Sequence, residues 1–103
     1  MERHPNIPIS AWAYLVELSE HPRIEALILF GSRAFGDHGE RSDVDVAVVG
    51  QRLTFEDWAL IRDSAYHART LYWISLIHLN RNPPKLRDRV AKTGITIYEK
   101  KTS

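Results

Sequence analysis

Residues Leu29–Gly50 read LFGSRAFGDHGERSDVDVAVVG. An apolar run ends in Gly31-Ser32, ten residues intervene, and Asp43-Val44-Asp45 opens a second apolar run. The first run extends back to Arg23 (RIEALILF) and reads as a buried strand. SRAFG fits one or two helical turns closed by Gly36, DHGERS is a loop, and DVDVAVVG is a second strand ended by Gly50. The link between these strands is too short for a parallel crossover, which takes about a dozen residues including a helix. They are therefore expected to pair antiparallel, in a sheet that is mixed overall.

Working outward, residues 1–9 read as an irregular arm. Ser10 is expected to cap a helix to about Glu20, with Trp12, Leu15 and Val16 on its inner face. His21-Pro22 ends it. Downstream, Thr54 and Asp57 form a capping-box pair, and Leu53 with Trp58 a hydrophobic staple, for a helix from about Phe55 to Ala68. TLYWISLIHL is rich in strand formers. Asn82-Pro83-Pro84 opens a last helix, with Leu86 and Val90 inward and Gly94 at its end, and ITIYE closes as a strand. The fold class is α/β (α+β), with a mixed sheet of about four strands in one domain over residues 1–103.

The 103 residues suit a single core. A formal charge of +1 gives no global drive toward nucleic acid or membrane. The absence of cysteine excludes disulfides and thiolate metal sites. No apolar run approaches a membrane span, and MERHPNIPIS lacks a signal-peptide core. By elimination the expected location is cytoplasmic. The five histidines show no ligand spacing, so no zinc site is expected, and His38 reads as a solvated loop histidine. Basic residues thicken from Arg81 to Lys101; they read as a solvated helix face and tail, with a patch for an acidic partner surface or nucleotide phosphates as the alternative that charge alone does not separate. Arg62-x4-His67 has the spacing of a HEPN ribonuclease motif, but such sites need a helical bundle, and the match reads as chance.

The chemistry lies in the opening stretch. Asp43 and Asp45, two apart on a strand, face the same way roughly 6.5–7 Å apart. Their repulsion is relieved by a hard cation such as Mg²⁺, which prefers carboxylate oxygens and shares them with substrate phosphates. Gly31 permits a tight turn and a close ligand approach. Ser32 adds a hydroxyl beside free helical N–H groups suited to phosphate. Together they fit metal-assisted nucleotidyl or phosphoryl transfer from a nucleoside triphosphate.

GSRAFG and SDVDVAV resemble the minimal nucleotidyltransferases, small members of the DNA polymerase β-like superfamily, whose hallmark is GS followed ten residues later by DxD. The likeness runs from about Arg23 onward, through the capped helix, PPKLRDRVAKTG and ITIYE. It implies a mixed sheet with helices largely on one face. It also implies that Gly31, Ser32 and Arg33 bind nucleotide, while Asp43 and Asp45 hold Mg²⁺ and carry catalysis. Many minimal members are antitoxins of a helical HEPN toxin, and some transfer AMP from ATP to a toxin tyrosine; a HEPN-type partner is thus implied.

Two departures stand out. The family's third carboxylate sits on the third strand, and Ile74-Ser75-Leu76-Ile77 puts Ser75 there, with no Asp or Glu between Thr70 and Arg87 to replace it. Phe35 stands where many members have a basic residue, leaving Arg33 as the cation of that turn. One expectation is therefore a Mg²⁺-dependent transferase of AMP to a protein hydroxyl. The other is a weak or inactive antitoxin that acts by binding. A plain α/β domain with coincidental motifs is the remote third. The aromatic third strand, with Tyr72 and Trp73, leaves pairing with another chain, or an oligomer, open.

Overall fold

The computed structural model describes residues 1–101. Its elements are α1 (Ile9–Ser19), β1 (Ala26–Phe30), α2 (Ser32–Phe35), β2 (Val44–Val49), α3 (Phe55–Tyr66), β3 (Ile74–His78), α4 (Pro84–Thr93) and β4 (Ile95–Glu99), with a 3₁₀ turn at Leu79–Arg81. The four strands form one sheet in the order β3-β2-β1-β4. β1 pairs antiparallel with both β2 and β4, while β2 and β3 pair parallel through the α3 crossover. The short α2 link thus gives the antiparallel pair expected of it, and the sheet is mixed.

Alternation decides which face is buried. Leu27, Leu29, Val44, Val46, Val48, Ile74 and Ile97 join Ala11, Tyr14, Leu15 and Leu18 of α1 and Ile61 of α3 in one core. Helices α1 and α3 therefore cover this face. The opposite face, carrying Ile28 and Asp45, is covered only in part, by α4. A Cβ on Gly94 would fall 2.5 Å from Ile28 Cγ2 and 2.5 Å from Val90 O, so glycine is what lets the end of α4 meet β1. Gly94 has φ −76°, so it ends the helix without a left-handed cap. Among the described residues no other helix is packed over the rest of the Asp45 face.

Three local expectations shift. Helix α1 is capped by Pro8, and Ser10 instead pairs its hydroxyl with Thr70 Oγ1 at 2.7 Å. Its inner face is Ala11, Tyr14, Leu15 and Leu18; Trp12 is half-buried and Val16 exposed. Tyr14 turns inward because its hydroxyl finds Ser64 Oγ at 2.8 Å. Residues 70–73 form turns before the five-residue β3. The irregular arm is pinned, because Ile7 is fully buried.

The start of α3 is as its sequence dictates. Thr54 Oγ1 accepts from Asp57 N at 3.0 Å, and Asp57 Oδ2 accepts from Thr54 N at 3.0 Å. Arg23 donates to the same carboxylate at 2.7 Å. The Thr54 backbone N–H and Arg23 hold Asp57 down at about 2, against an ordinary 3.8. A depressed carboxyl stabilises the fold above its unfolded value and ceases to do so as pH falls through its folded value. Asp57→Asn is expected to lower Tm at pH 7, and the difference from wild type should shrink between pH 4 and pH 2 in thermal melts.

Candidate active site

Strand register builds the site. Asp45 is paired with Phe30 on one side and with Ser75 on the other. Gly31 follows Phe30 directly, at φ +73°, and a Cβ there would collide with the Asp45 carboxylate. Only glycine fits this position, both for its backbone angle and for the space. The glycine of the GS pair therefore brings the turn's backbone against the second carboxylate of the DxD pair.

The turn then closes on itself. Ala34 and Phe35 donate to Gly31 O at 3.0 and 3.3 Å, and Gly36 donates to Ser32 O at 2.9 Å. Among the described residues, the N–H groups of Ser32 and Arg33 and the Ser32 hydroxyl find no protein partner. Half-buried Ser32 thus leaves donors beside Asp45. Phe35 is 66% exposed and contributes no charge.

Asp45 is half-buried and Asp43 exposed. Burial, and then the charge of Asp43, raise the Asp45 carboxyl above its ordinary 3.8. A cation beside the pair counters both effects, since it replaces lost solvation and offsets the repulsion. Among the described residues no third His, Cys, Asp or Glu completes a metal cluster. The donor set fits one hard cation that takes its remaining oxygens from phosphate and water. It does not fit two metals.

Arg33 does something other than the phosphate contact its sequence position suggested. It is only 4% exposed. Its Nε and Nη2 donate to Ser42 O at 3.1 and 2.9 Å, and Nη1 donates to Asn6 O at 2.7 Å. Its guanidinium carbon lies 5.3 Å from the centre of the Tyr72 ring. Asn6 Nδ2 returns a bond to Arg33 O at 2.8 Å. The guanidinium fork therefore ties the N-terminal arm to the residue just before Asp43. It braces the approach to Asp43 and, being buried, does not present its guanidinium to a phosphate. Neither Asn6 nor Ser42 carries a local signal of this; the contacts span 27 and 9 residues.

His38 departs from the solvated reading, and His78 is held inside the fold. His38 is half-buried, with Nδ1 shut from solvent and unpartnered. His78 is buried, donates from Nε2 to Gly50 O at 2.9 Å, and stacks on Trp58 with centroids 5.3 Å apart. It fixes the end of β2 well away from the carboxylates.

The sequence from residue 16 to 103 matches the family model "Polymerase beta, Nucleotidyltransferase". The chain belongs to the polymerase beta nucleotidyltransferase family. Solved structures of similar fold agree with this nucleotidyltransferase architecture. A toxin–antitoxin crystallised with AMP-PNP superposes at TM-score 0.66 and 22% identity, over 86% of this chain and 73% of that one. A putative nucleotidyltransferase from Sulfolobus solfataricus gives 0.58 and 22%, over 85% and 76%. A mutant MntA-HpeT toxin–antitoxin gives 0.61 and 20%, over 87% and 70%. Among curated proteins none matches the chain in sequence. No helix among the described residues is long and apolar enough to cross a membrane.

Two substitutions should move stability in opposite directions. A carboxyl raised by folding costs stability once ionised, so the cost appears as pH rises above its unfolded value. Asp45→Asn is expected to raise Tm at pH 7.5, the gain vanishing below about pH 4. Arg33→Ala removes charged hydrogen bonds from a buried cluster and should cost about 2–4 kcal/mol in urea unfolding.

Proposed function

We propose that the chain is a minimal nucleotidyltransferase of the antitoxin type, transferring AMP from ATP to a hydroxyl of a protein partner. The observation that carries this reading is the register: Phe30-Gly31 lies against Asp45, and Asp43, just ahead of β2, is near enough for its charge to raise the Asp45 carboxyl. Asp43 and Asp45 hold one Mg²⁺, and the Ser32 turn offers its hydroxyl and free N–H groups to the triphosphate. A Mg²⁺ held by these two carboxylates would supply charge neutralisation to the phosphates and the leaving pyrophosphate. In the transfer, the acceptor oxygen bonds to the α-phosphorus, the bond to the bridging oxygen breaks, and pyrophosphate leaves. The hydroxyl proton passes to solvent, because Ser75 is no base at neutral pH.

The partner in this reading is a HEPN-type toxin in the cytoplasm. The toxin–antitoxin assemblies among the similar structures support it, as does a chain without cysteine. Ser75 favours a second reading. It lies in register with Asp45, on the strand where the family resemblance calls for an acid. A domain lacking that acid keeps its partner and nucleotide but turns over slowly or not at all.

Label transfer separates the two. The chain, with the protein that co-purifies from its host, is given Mg²⁺ and ATP labelled at the α- or γ-phosphate. The expected result is α-label on the partner, absent with Asp43→Asn. Ser75→Asp should increase it by about tenfold or more, as befits a restored general base. Transfer of γ-label would replace nucleotidyl by phosphoryl transfer. No transfer from either label, with the partner still bound, would establish the binding-only reading.

A further inference from the structure

The sheet has two edges, and they are treated differently. At β4 the N-terminal arm lies alongside, with Glu2 to Pro5 beside Ile95–Ile97. The pairing there is irregular between Leu27 and Ile28, and Glu99, Lys100 and Lys101 follow. Arms, bulges and charges are the usual protections of an edge strand. At β3 none of these is present. Residues 70–80 contain no Asp, Glu, Lys or Arg and no proline, and their one histidine, His78, is buried. Leu71 is fully exposed and Trp73 is 55% exposed. Trp73 stands edge-on to Tyr66 of α3, with centroids 5.7 Å apart.

The backbone of this edge is free as well. Trp73 gives its carbonyl to Val44 N at 2.9 Å. Alternate residues of a strand point their N–H and C=O groups to opposite sides. Ile74 and Leu76 therefore direct theirs away from β2, and no hydrogen bond from elsewhere in the described residues reaches them. Beside them a groove of about 270 Å³ is lined by Arg62, Tyr66, Trp73 and Ser75. Among the described residues Arg62 has no ion-pair or hydrogen-bond partner. Arg69 borders the adjoining hollow with Leu71 and Tyr72.

Charge decides what can lie there. No Asp or Glu occurs between Asp63 and Asp88. A second copy pairing through its own β3 would bring another Arg62 and Arg69 to the edge, and β3 with its flanking residues 70–80 carries no carboxylate to meet them. Complementarity calls instead for a segment that carries its own acids.

We propose that the β3 edge is the docking strand for an extended, acidic segment of a protein partner, which adds to the sheet as a fifth strand with a carboxylate on Arg62. Backbone pairing at Ile74 and Leu76 supplies affinity, and Arg62 with the Tyr66–Trp73 groove supplies selectivity. The consequence for the site rests on the transfer reading above. Ser75 is in register with Asp45. Neighbouring strands are about 4.8 Å apart, so an added strand lies about 10 Å from β2. A long hydroxyl-bearing side chain on that strand, with a phosphate group between, spans this gap across the open face.

Docking is measured without Mg²⁺ or nucleotide, so it stands or falls apart from the transfer reading. The probes are a short peptide of alternating valine and glutamate with a central tyrosine, and its lysine counterpart. The readouts are amide exchange by NMR on the full chain, and light scattering. The glutamate peptide is expected to slow exchange at Ile74 and Leu76 and to bind on the order of tenfold more tightly than the lysine peptide. Arg62→Glu, an exposed helix position that leaves folding intact, should reverse the preference. A chain already dimeric, with Ile74 and Leu76 protected before any peptide is added, would assign the edge to self-association and overturn the proposal. So would equal affinity for both peptides, protection confined to other strands, or no protection at all.

Discussion

The arrangement depends on one close approach: the backbone of Gly31 against the carboxylate of Asp45. It follows from the antiparallel pairing of Phe30 with Asp45, and it admits no side chain at residue 31. A one-residue slip of β2 against β1 would turn both acids into the helix-covered core and Val44 and Val46 to the open face. The apolar alternation of β2 forbids that slip. The same pattern that packs α1 and α3 onto one face thus delivers Asp43 and Asp45 to the other. Core and site are two readings of a single register.

This placement has an electrostatic cost that the rest of the site manages. Asp45 loses solvation in the sheet and faces the charge of Asp43, and its carboxyl is raised accordingly. Among the described residues no basic side chain is ion-paired with Asp43 or Asp45. Arg33, the nearest cation in sequence, is turned away to hold Ser42 and Asn6. Had Arg33 paired with the acids, they would be stabilised but occupied. By bracing the chain just ahead of Asp43, it keeps them positioned and available to a cation. The N-terminal arm, all of which precedes the residues matched by the family model, enters the architecture of the site through that one guanidinium.

Much of this was legible in the sequence because it is local. The ten-residue spacing required antiparallel strands, Thr54 and Asp57 announced the start of α3, and the dearth of acids around Ser75 is a matter of composition. What was not legible is what depends on distant contacts. Ser10 looks like a helix cap but has Thr70 to bond instead, and Pro8 takes its place. Tyr14 rather than Trp12 turns inward because Ser64, fifty residues on, receives its hydroxyl. Arg33 reads as a phosphate ligand until the arm and the 37–42 loop close around it. Strand order, which leaves β3 bare and puts β4 under the arm, is likewise a property of the assembled sheet.

The central claim is that the paired acids and the GS turn form one metal–nucleotide site, able to hold one metal and not two. Paramagnetic broadening by Mn²⁺, titrated in the presence of a non-hydrolysable ATP analogue and followed by amide NMR, tests it directly. The account predicts saturation at one Mn²⁺ per chain, with signals lost first at residues 31–33, 43–45 and 75 and last on α1, on the far face of the sheet. Broadening centred elsewhere, none at all, or saturation at two metals per chain would contradict it.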